Sequence, residues 1–239
     1  MTGIALRDAS YAAGGKTILS GLSLHLAERR IGIVGRNGSG KTTLLRLIAG
    51  LVAPSTGSVQ VDGIDPCTDR KAALSRLGIL FQNPDHQILF PTVEEELAFG
   101  LRQQGLPQPR ALDAARAALR AEGRAHWAAA PVSTLSGGQK HWLCLQAVLM
   151  MQPQTLLLDE PFAGLDLPTA ARITRRLAGL AQRLVTISHD PAAVAGADRV
   201  IWLDAGRVAA DGPPAQVLPA FAAEMARIGD SDADTDLAG

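Results

Sequence analysis

The sequence predicts an α/β fold in which a parallel β-sheet carries helices on both faces and is interrupted by a helical insert. After Ser136, short apolar runs alternate with stretches of helical periodicity, which is the element order typical of parallel sheets. Between about residues 84 and 138 the sequence contains Ala-rich segments with helical periodicity, so this stretch is predicted to be the helical insert. Earlier in the chain, short strands are separated by turns.

Each element is predicted from its apolar pattern and from the turn residues or charges that bound it. The predicted strands are Ile4–Ala9, Leu22–Leu26, Ile31–Val34, Ser58–Val61, Leu77–Phe81, Thr155–Asp159, Leu184–Ser188, Arg199–Leu203 and Arg207–Ala210. The predicted helices are Thr42–Ala49, Arg110–Ala121, Lys140–Met150 and Pro168–Ala178. A further helix is expected after Thr92, because Thr92 and Glu95 fit a capping box. Residues 229–239, small and acidic, are predicted to be disordered.

Composition excludes several classes of function. The 239 residues include 23 basic and 23 acidic side chains, so the basic excess usual in nucleic-acid binding is absent and no nucleic-acid partner is expected. Cys67 and Cys144 lack metal-site spacing and fit a reducing cytosol. We find neither the pattern of a signal peptide at the start nor an apolar run of about 18 residues. Any membrane spans in the process are therefore expected to come from other chains.

Residues 35–42, Gly-Arg-Asn-Gly-Ser-Gly-Lys-Thr, match the phosphate loop GxxxxGK[ST] between a predicted strand and a predicted helix. The glycines allow backbone N–H groups to converge on phosphates, and the helix N-terminus adds a positive dipole end. Lys41 is expected to reach the β and γ phosphates of ATP, and the Thr42 hydroxyl to ligate Mg²⁺. The candidate ATP-binding residues here are Asn37, Gly38, Ser39, Gly40, Lys41, Thr42 and Thr43.

The apolar strand at residues 155–159 ends in two carboxylates, Asp159 and Glu160. Asp159 is placed to bind Mg²⁺ through water, and Glu160 to polarise the attacking water as the catalytic residue. Taken alone, the pattern also fits a buried strand that ends in surface acids. Together with the phosphate loop, it predicts a P-loop NTPase.

Residues 135–139, Leu-Ser-Gly-Gly-Gln, directly precede a predicted helix and form a second candidate anion site. One nucleotide does not need two such sites from one protomer, so Ser136, Gly137, Gly138 and Gln139 are predicted to bind ATP held by a second chain. The segment resembles the signature of ATP-binding cassette (ABC) ATPases. That resemblance implies an ABC-type RecA-like core with an antiparallel β subdomain and an inserted helical subdomain, all within residues 1–228, and a head-to-tail dimer.

Other ABC motifs follow in the family's order. Tyr11 resembles the aromatic residue that stacks on adenine, with a core aromatic as the alternative. Gln82 resembles the Q-loop glutamine that senses Mg²⁺ and nucleotide, and His189 resembles the switch histidine at the γ-phosphate. The segment Gly164, Leu165 and Asp166 resembles the D-loop, which in this family crosses the dimer interface.

The chain departs from the family directly after the signature. ABC ATPases commonly carry a Gln-Arg pair at the positions that hold His141 and Trp142 here. The change concerns the packing of the signature helix, and the sequence leaves open whether Trp142 lies in the core or faces a partner.

Residues 81–100 indicate which group of ABC ATPases the chain resembles. Their pattern, FQNP-x-x-Q followed by TVE-x-E-x-AFG, resembles the Q-loop and following helix of energy-coupling factor (ECF) ATPases. The resemblance implies two membrane partners, a transmembrane coupling protein and a substrate-binding protein. Glu94, Glu95 and Glu96 are then candidate partners for the arginines of the coupling protein. A solvated acidic first turn of a helix is the alternative.

Within the ECF family, the chain resembles the ATPase of a biotin transporter in its short length and in Trp142, and the ATPases of cobalt and nickel transporters remain alternatives. The resemblance implies a homodimer at the cytoplasmic face of the cell membrane, bound there as a peripheral subunit. A DNA-handling ABC ATPase would carry long coiled coils in the insert, and a translation-type protein would carry two cassettes. A conventional ABC transporter ATPase is the nearer alternative, and only the Q-loop pattern opposes it.

Overall fold

The computed structural model describes residues 3–230, and the chain divides into two compact units. One unit comprises residues up to 70 together with those from 183 onwards, and the other comprises residues 71–182. The strands are β1 (Ile4–Ala13), β2 (Lys16–Leu26), β3 (Arg30–Val34), β4 (Thr56–Val61), β5 (Leu77–Leu80), β6 (Thr155–Asp159), β7 (Arg183–Ser188), β8 (Arg199–Asp204) and β9 (Arg207–Gly212). The helices are α1 (Lys41–Ile48), α2 (Arg70–Leu74), α3 (Val93–Gln103), α4 (Gln108–Ala121), α5 (Gly137–Met150), α6 (Leu167–Ala178) and α7 (Pro214–Asp230).

The first unit contains an antiparallel sheet in the order β2-β1-β4. Its central strand pairs Ile4 with Leu26 on one side and with Val61 on the other, and all three side chains are buried. Strand β2 begins well before the predicted Leu22–Leu26. The sequence feature that signals the earlier start of β2 is the Gly14-Gly15 pair. Its positive φ angles of 57° and 76° allow the tight turn between β1 and β2.

The same unit contains strands in the order β7-β3-β8-β9. Strand β3 pairs in parallel with β7 and β8, and β8 pairs antiparallel with β9. Within β3, Ile31 to Val34 are all buried, which agrees with the apolar run that parallel strands show. Helix α1 follows directly beyond the end of β3, so the phosphate loop connects a buried strand to a helix as predicted.

In the second unit, β5 and β6 pair in parallel, and the helices α3 to α6 lie in the same unit. A core cluster on α3, α4 and α5 includes Leu97, Ala115, Leu119 and Leu143, each fully buried. The small side chains of α4 allow close packing of this helix, because Ala111 and Ala115 are both 0% exposed. This core organises the stretch that was predicted to be the helical insert.

The capping box predicted at Thr92 is wrong, although Thr92 is the N-cap residue of α3. The Thr92 hydroxyl donates to the Glu95 carboxylate and makes no cap bond to the helix backbone. The N–H groups of the first two helical residues donate instead to the carbonyl oxygens of Ala128 and Ala130. Because a neighbouring segment satisfies these donors, a side-chain cap is not needed.

Helix α7 was not predicted. Its buried residues, Val217 and Phe221, lie four positions apart on one face, and Phe221 contacts the Trp202 ring of β8 at 5.7 Å between centroids. Pro219 inside the helix conceals this periodicity from a sequence-based prediction. Gly229 and Asp230, which were predicted to be disordered, are the last residues of α7, whereas residues 231–239 of that prediction lie outside the described residues.

None of the helices within residues 3–230 combines the length and the apolar character needed to cross a bilayer.

Candidate functional site

The phosphate loop occupies residues 35–40, between β3 and α1. Two glycines are required by close approaches of neighbouring atoms. A Cβ on Gly35 would lie 2.2 Å from the Leu203 carbonyl oxygen, and one on Gly40 would lie 2.7 Å from Cδ2 of Leu19. Gly40 also has a φ of 100°, in the region that favours glycine. The loop therefore brings backbone close to the N-terminus of α1 in a conformation that other residues would disturb.

Lys41, at the first position of α1, is buried, with 7% of its surface exposed. Its ammonium group donates to the carbonyl oxygens of Gly35 at 2.7 Å and Arg36 at 2.9 Å. Ser39 is also buried, and its hydroxyl has no hydrogen-bond partner within the described part of the chain. A cation, an unpaired hydroxyl and a helix N-terminus at one loop form a set of donors that fits the phosphate groups of a nucleotide.

The remaining ATP-binding candidates of the loop differ in exposure. Asn37 and Gly38 are exposed, and Thr42 and Thr43 are half-buried in the first turn of α1.

His189 and Tyr11 belong to the same unit as the phosphate loop. Ser188, the last residue of β7, pairs with Val34, the last residue of β3, so His189 and the phosphate loop leave neighbouring parallel strands at the same edge. This edge, at the carboxyl ends of the strands, is where open α/β sheets bind ligands. Tyr11 pairs on β1 with Leu19, the residue whose side chain lies beneath Gly40.

In the second unit, the predicted residues lie at the ends of two parallel strands: Asp159 is the last residue of β6, Glu160 follows it, and Gln82 lies two residues beyond β5. Leu80 of β5 pairs with Leu158 of β6, so the three predicted residues emerge at one edge of this pair. Asp159 and Glu160 are buried, whereas Gln82 is exposed. Glu160 has a φ of +48°, which is uncommon for a residue with a side chain and is often associated with functional sites.

The predicted signature residues begin helix α5. Ser136 is its N-cap: the Gln139 N–H donates to the Ser136 hydroxyl oxygen at 3.3 Å, and the Ser136 N–H donates to the Gln139 side chain at 2.7 Å. This reciprocal pair is a capping box, which sequence reasoning missed here although the Ser-x-x-Gln spacing signals it. Gly137 and Gly138 form the first turn, and a Cβ on Gly137 would meet no atom within 4 Å.

Asp166, predicted to belong to an interface loop, is the N-cap of α6. Its carboxylate accepts from the Thr169 N–H at 2.8 Å, and hydrogen bonds from Thr169 hold the pKa of Asp166 below its ordinary value. Thr169 also explains the second glycine of the signature, because a Cβ on Gly138 would lie 2.9 Å from its methyl group. Gly164 has a φ of +71°, and Leu165 follows it in the turn before α6.

The three acidic residues at the start of α3, predicted to be candidate partners for arginines of a coupling protein, already have hydrogen-bond partners within their own unit. Glu94 accepts from Arg116 of the same unit at 2.7 and 3.2 Å, and Glu95 accepts from the Thr92 hydroxyl. Glu96 is buried and accepts from the backbone N–H groups of residues 89 and 90. Glu96 therefore orders the segment before α3.

Trp142 lies in the core, which the sequence left open. It is 7% exposed and packs edge-to-face against Trp127, with 5.6 Å between centroids. The guanidinium carbon of Arg124 lies 4.1 Å from the Trp142 centroid and 5.0 Å from that of Trp127, so a cation stacks on both rings. His141, beside it, is 1% exposed, and burial lowers its pKa.

The oxygen donors predicted for Mg²⁺ are of the type this ion prefers. The hydroxyl of Thr42, the amide oxygen of Gln82 and the carboxylate of Asp159 are all hard ligands, and phosphate oxygens of a nucleotide are the usual remaining ligands. By its chemical type, each of these residues therefore suits a ligand of Mg²⁺.

Comparison with known proteins places these features in a family. A family model described as ABC transporter matches residues 19–163. The biotin transport ATP-binding protein BioM of Rhodobacter capsulatus is 53% identical over 225 residues, covering 94% of this chain and 96% of the relative. The nickel import ATP-binding protein NikO of the same organism is 40% identical over 228 residues, covering 89% and 90%.

Solved structures agree with this assignment. The protein cbiO1 of Clostridium perfringens, described as part of the ABC transporter complex cbiONQ, has a TM-score of 0.76 and 28% identity, covering 96% of this chain and 98% of the other. A dimeric ATP-binding cassette bound to ADP and Pi has a TM-score of 0.74 and 25% identity, covering 88% and 98%. The P-loop NTPase fold of ABC type predicted from the sequence is confirmed. The chain therefore belongs to the ABC transporter ATP-binding proteins, which are ATPases coupled to transport.

Proposed function

We propose that this chain is the ATP-hydrolysing subunit of an ECF-type importer and that the imported vitamin is biotin. The observation that carries the proposal is the identity of 53% with a biotin transport ATP-binding protein, which extends over 94% of the chain. The phosphate loop supplies the physical basis for ATP binding, since it combines a buried lysine, an unpaired buried hydroxyl and a helix N-terminus.

In this proposal the first unit holds the nucleotide. Lys41 exchanges its two carbonyl partners for the β and γ phosphates, and the backbone N–H groups of residues 37–43 converge on the same phosphates. Tyr11 stacks on adenine. His189 contacts the γ-phosphate from the neighbouring strand end.

The second unit supplies the hydrolytic chemistry. Glu160 orients and polarises the water that attacks the γ-phosphate, and Asp159 and Gln82 with Thr42 hold Mg²⁺. The ion, when bound, neutralises charge that develops on the phosphate oxygens. The buried carboxylate of Glu160 is suited to this role because a low dielectric strengthens its interaction with a water molecule.

We further propose that two copies of the chain close over two ATP molecules. Ser136, Gly137, Gly138 and Gln139 of one copy then contact the γ-phosphate held by the other, and Gly164, Leu165 and Asp166 lie at the interface. The support is the first turn of α5, where a Cβ on Gly137 would meet no atom within 4 Å, so the helix N-terminus is open at this residue. The related dimeric cassette with ADP and Pi supports the same arrangement.

The membrane partners in this proposal are a transmembrane coupling protein and a substrate-binding protein, with this chain bound at the cytoplasmic face. Glu94 and Glu95 are the two proposed contacts for arginines of the coupling protein, since Glu96 is committed to its own chain. Glu94 would exchange Arg116, a half-exposed residue, for the partner's guanidinium. The relation to cbiO1, itself part of a multi-subunit transporter, supports the expectation of such partners.

Uptake by cells that lack the chain tests the proposed cargo. Wild-type protein should restore accumulation of radiolabelled biotin, and the Lys41→Ala variant should not, because phosphate binding is lost. The Arg46→Ala variant is the matched control, since Arg46 is an exposed cation on the same helix and should restore uptake fully.

Parallel assays with radiolabelled cobalt and nickel distinguish the alternatives. NikO, at 40% identity, makes nickel import the second candidate. If nickel or cobalt uptake depends on Lys41 and biotin uptake does not, the proposal of biotin as the substrate is wrong, but the proposal that the chain serves an importer stands.

Copurification in mild detergent tests the membrane partners. The wild-type chain should recover two membrane proteins, and a variant with both Glu94→Lys and Glu95→Lys should recover fewer. Arg102→Ala is the control for a change of charge on the same helix.

A further inference from the structure

The side chain of Gln87 joins two backbone groups at the end of strand β5. Its amide nitrogen donates to the Ile79 carbonyl oxygen at 3.2 Å, and its amide oxygen accepts from the Phe81 N–H at 3.1 Å. One carboxamide therefore supplies both the donor and the acceptor that a neighbouring strand would otherwise offer. The residue that follows this bonded pair is Gln82.

The residues between Phe81 and Gln87 form a turn with its own internal bonds. The Asn83 side chain accepts from the Asp85 N–H at 2.9 Å, and the Gln87 N–H donates to the Pro84 carbonyl oxygen at 3.0 Å. Because Gln87 then returns to β5, the chain before Gln82 and the chain after it are tied to each other.

The turn is also fixed to the signature helix of its own unit. Lys140 of α5 forms an ion pair with Asp85 at 2.7 Å, and the Cys144 thiol lies 3.9 Å from the Pro84 carbonyl oxygen. Gln82 itself is exposed, so its side chain is free to meet a ligand while the backbone on both sides is held. This combination limits the directions in which the Gln82 carboxamide can extend.

We propose that Gln87 is a positioning residue that fixes Gln82 in the geometry needed for hydrolysis, an inference that rests on the proposed role of Gln82 in holding Mg²⁺. The two bonds from Gln87 set the direction of the Phe81 peptide and hence the point from which the Gln82 side chain departs. A reacting group displaced by about 1 Å can lose about 100-fold in rate, so a clamp of this kind acts on catalysis without touching the substrate.

The test is ATP hydrolysis by the full-length protein carrying Gln87→Leu, which removes both bonds. We expect kcat to fall about tenfold while KM for ATP changes by less than about twofold, because the interaction is needed chiefly in the transition state. The Gln87→Glu variant keeps an acceptor for the Phe81 N–H but has no donor for the Ile79 carbonyl oxygen, and an intermediate kcat is expected.

Gln104→Leu is the matched control for loss of a side-chain clamp, since the Gln104 amide donates to the Met151 carbonyl oxygen at 2.9 Å in the same unit. It should retain wild-type kcat. Thermal unfolding and circular dichroism verify that each variant is folded, and Gln87→Glu serves as the test variant if Gln87→Leu does not fold. A Gln87 variant that is folded and hydrolyses ATP at the wild-type rate would overturn the inference.

A double-mutant cycle with Gln82→Ala separates positioning from a general structural role. In the Gln82→Ala background, the Gln87 substitution should change kcat by less than about twofold, because the residue that it positions is gone. Losses that multiply would show that Gln87 acts by another route. If Gln82→Ala alone hydrolyses ATP normally, the failure lies in the proposed role of Gln82 and not in the clamp.

Discussion

The two cysteines of the chain have thiols in different surroundings. Cys144 on α5 is buried, and burial, reinforced by the charges of Glu96 and Asp85, raises its pKa to about 12. Cys67 is half-buried, and burial raises its pKa as well. Since the thiolate is the reactive form, we expect N-ethylmaleimide to label Cys67 slowly in the native protein and to leave Cys144 unlabelled.

Mass spectrometry of the labelled protein checks this expectation. Cys67→Ser should abolish labelling of the folded chain, and one label should appear after denaturation in guanidinium chloride. Rapid labelling of Cys144 without denaturant would contradict its burial and show that α5 opens.

His141 gives the stability of the fold a pH dependence. Burial lowers its pKa below the ordinary value of 6.5, so the unfolded state binds a proton at a higher pH than the native state does. Stability is therefore complete above about pH 6.5 and falls as the pH drops toward the lowered native value, at about 1.4 kcal/mol for each pKa unit of the shift. Urea unfolding at about pH 7.5 and at about pH 5 measures this loss of stability as the difference between the two free energies of unfolding.

His141→Gln should remove this part of the pH dependence, because the glutamine side chain does not titrate. His25→Gln is the control for the exchange of a histidine for glutamine at an exposed position. Equal pH slopes for wild type and His141→Gln would mean that His141 makes no contribution.

At the scale of elements, helices α3 and α5 satisfy their first N–H groups by different means. Helix α5 relies on the reciprocal bonds of Ser136 and Gln139, whereas α3 donates to the carbonyl oxygens of Ala128 and Ala130. Removing a side-chain cap costs about 1 kcal/mol. We therefore expect Ser136→Ala to lower the free energy of unfolding by about that amount, and Thr92→Ala to lower it by less than half as much.

Urea unfolding without nucleotide measures these costs apart from any effect on ATP binding. Ser133→Ala is the control, because Ser133 is an exposed serine just before the signature. Equal losses for the Thr92 and Ser136 variants would show that the carbonyl contacts do not replace a cap.

The elements predicted correctly are those specified by local sequence. The buried strand, the glycine loop and the helix that follows Lys41 were predicted because each has a signal within a few residues. The boundaries of β6 also agree, since Thr155–Asp159 is an uninterrupted apolar run ended by charge. Helix α7 was missed because Pro219 interrupts its pattern and its packing partner, Trp202, lies in another element.

Contacts within the candidate site are harder to predict for a similar reason. The motif residues were identified from spacing, and the parallel registers of β3 with β7 and β5 with β6 place them at strand ends. The burial of Glu96 and the bonds of Gln87 depend on where the intervening backbone turns. Local patterns carry no information about such a path, so the sequence did not predict the hydrogen bonds that these two side chains make.

At the scale of the whole molecule, ATP hydrolysis and dimer formation should separate in Glu160→Gln. Glutamine preserves the size of the buried side chain but does not act as a base, so hydrolysis should fall about 100-fold or more. ATP binding depends on the phosphate loop and should persist. The protein should therefore accumulate as a dimer with ATP bound, which light scattering after gel filtration detects.

Two comparisons decide between a trapped dimer and unspecific association. ADP in place of ATP should leave Glu160→Gln monomeric, because the signature residues then have no γ-phosphate to contact. Adding Lys41→Ala should also prevent the dimer, since the nucleotide is lost. If Glu160→Gln stays monomeric with ATP, the result would count against closure of the dimer through Ser136 and its neighbours. If Glu160→Gln hydrolyses ATP at the wild-type rate, another residue must activate the water. Because the two outcomes depend on different residues, one protein preparation tests the head-to-tail dimer and the catalytic carboxylate independently.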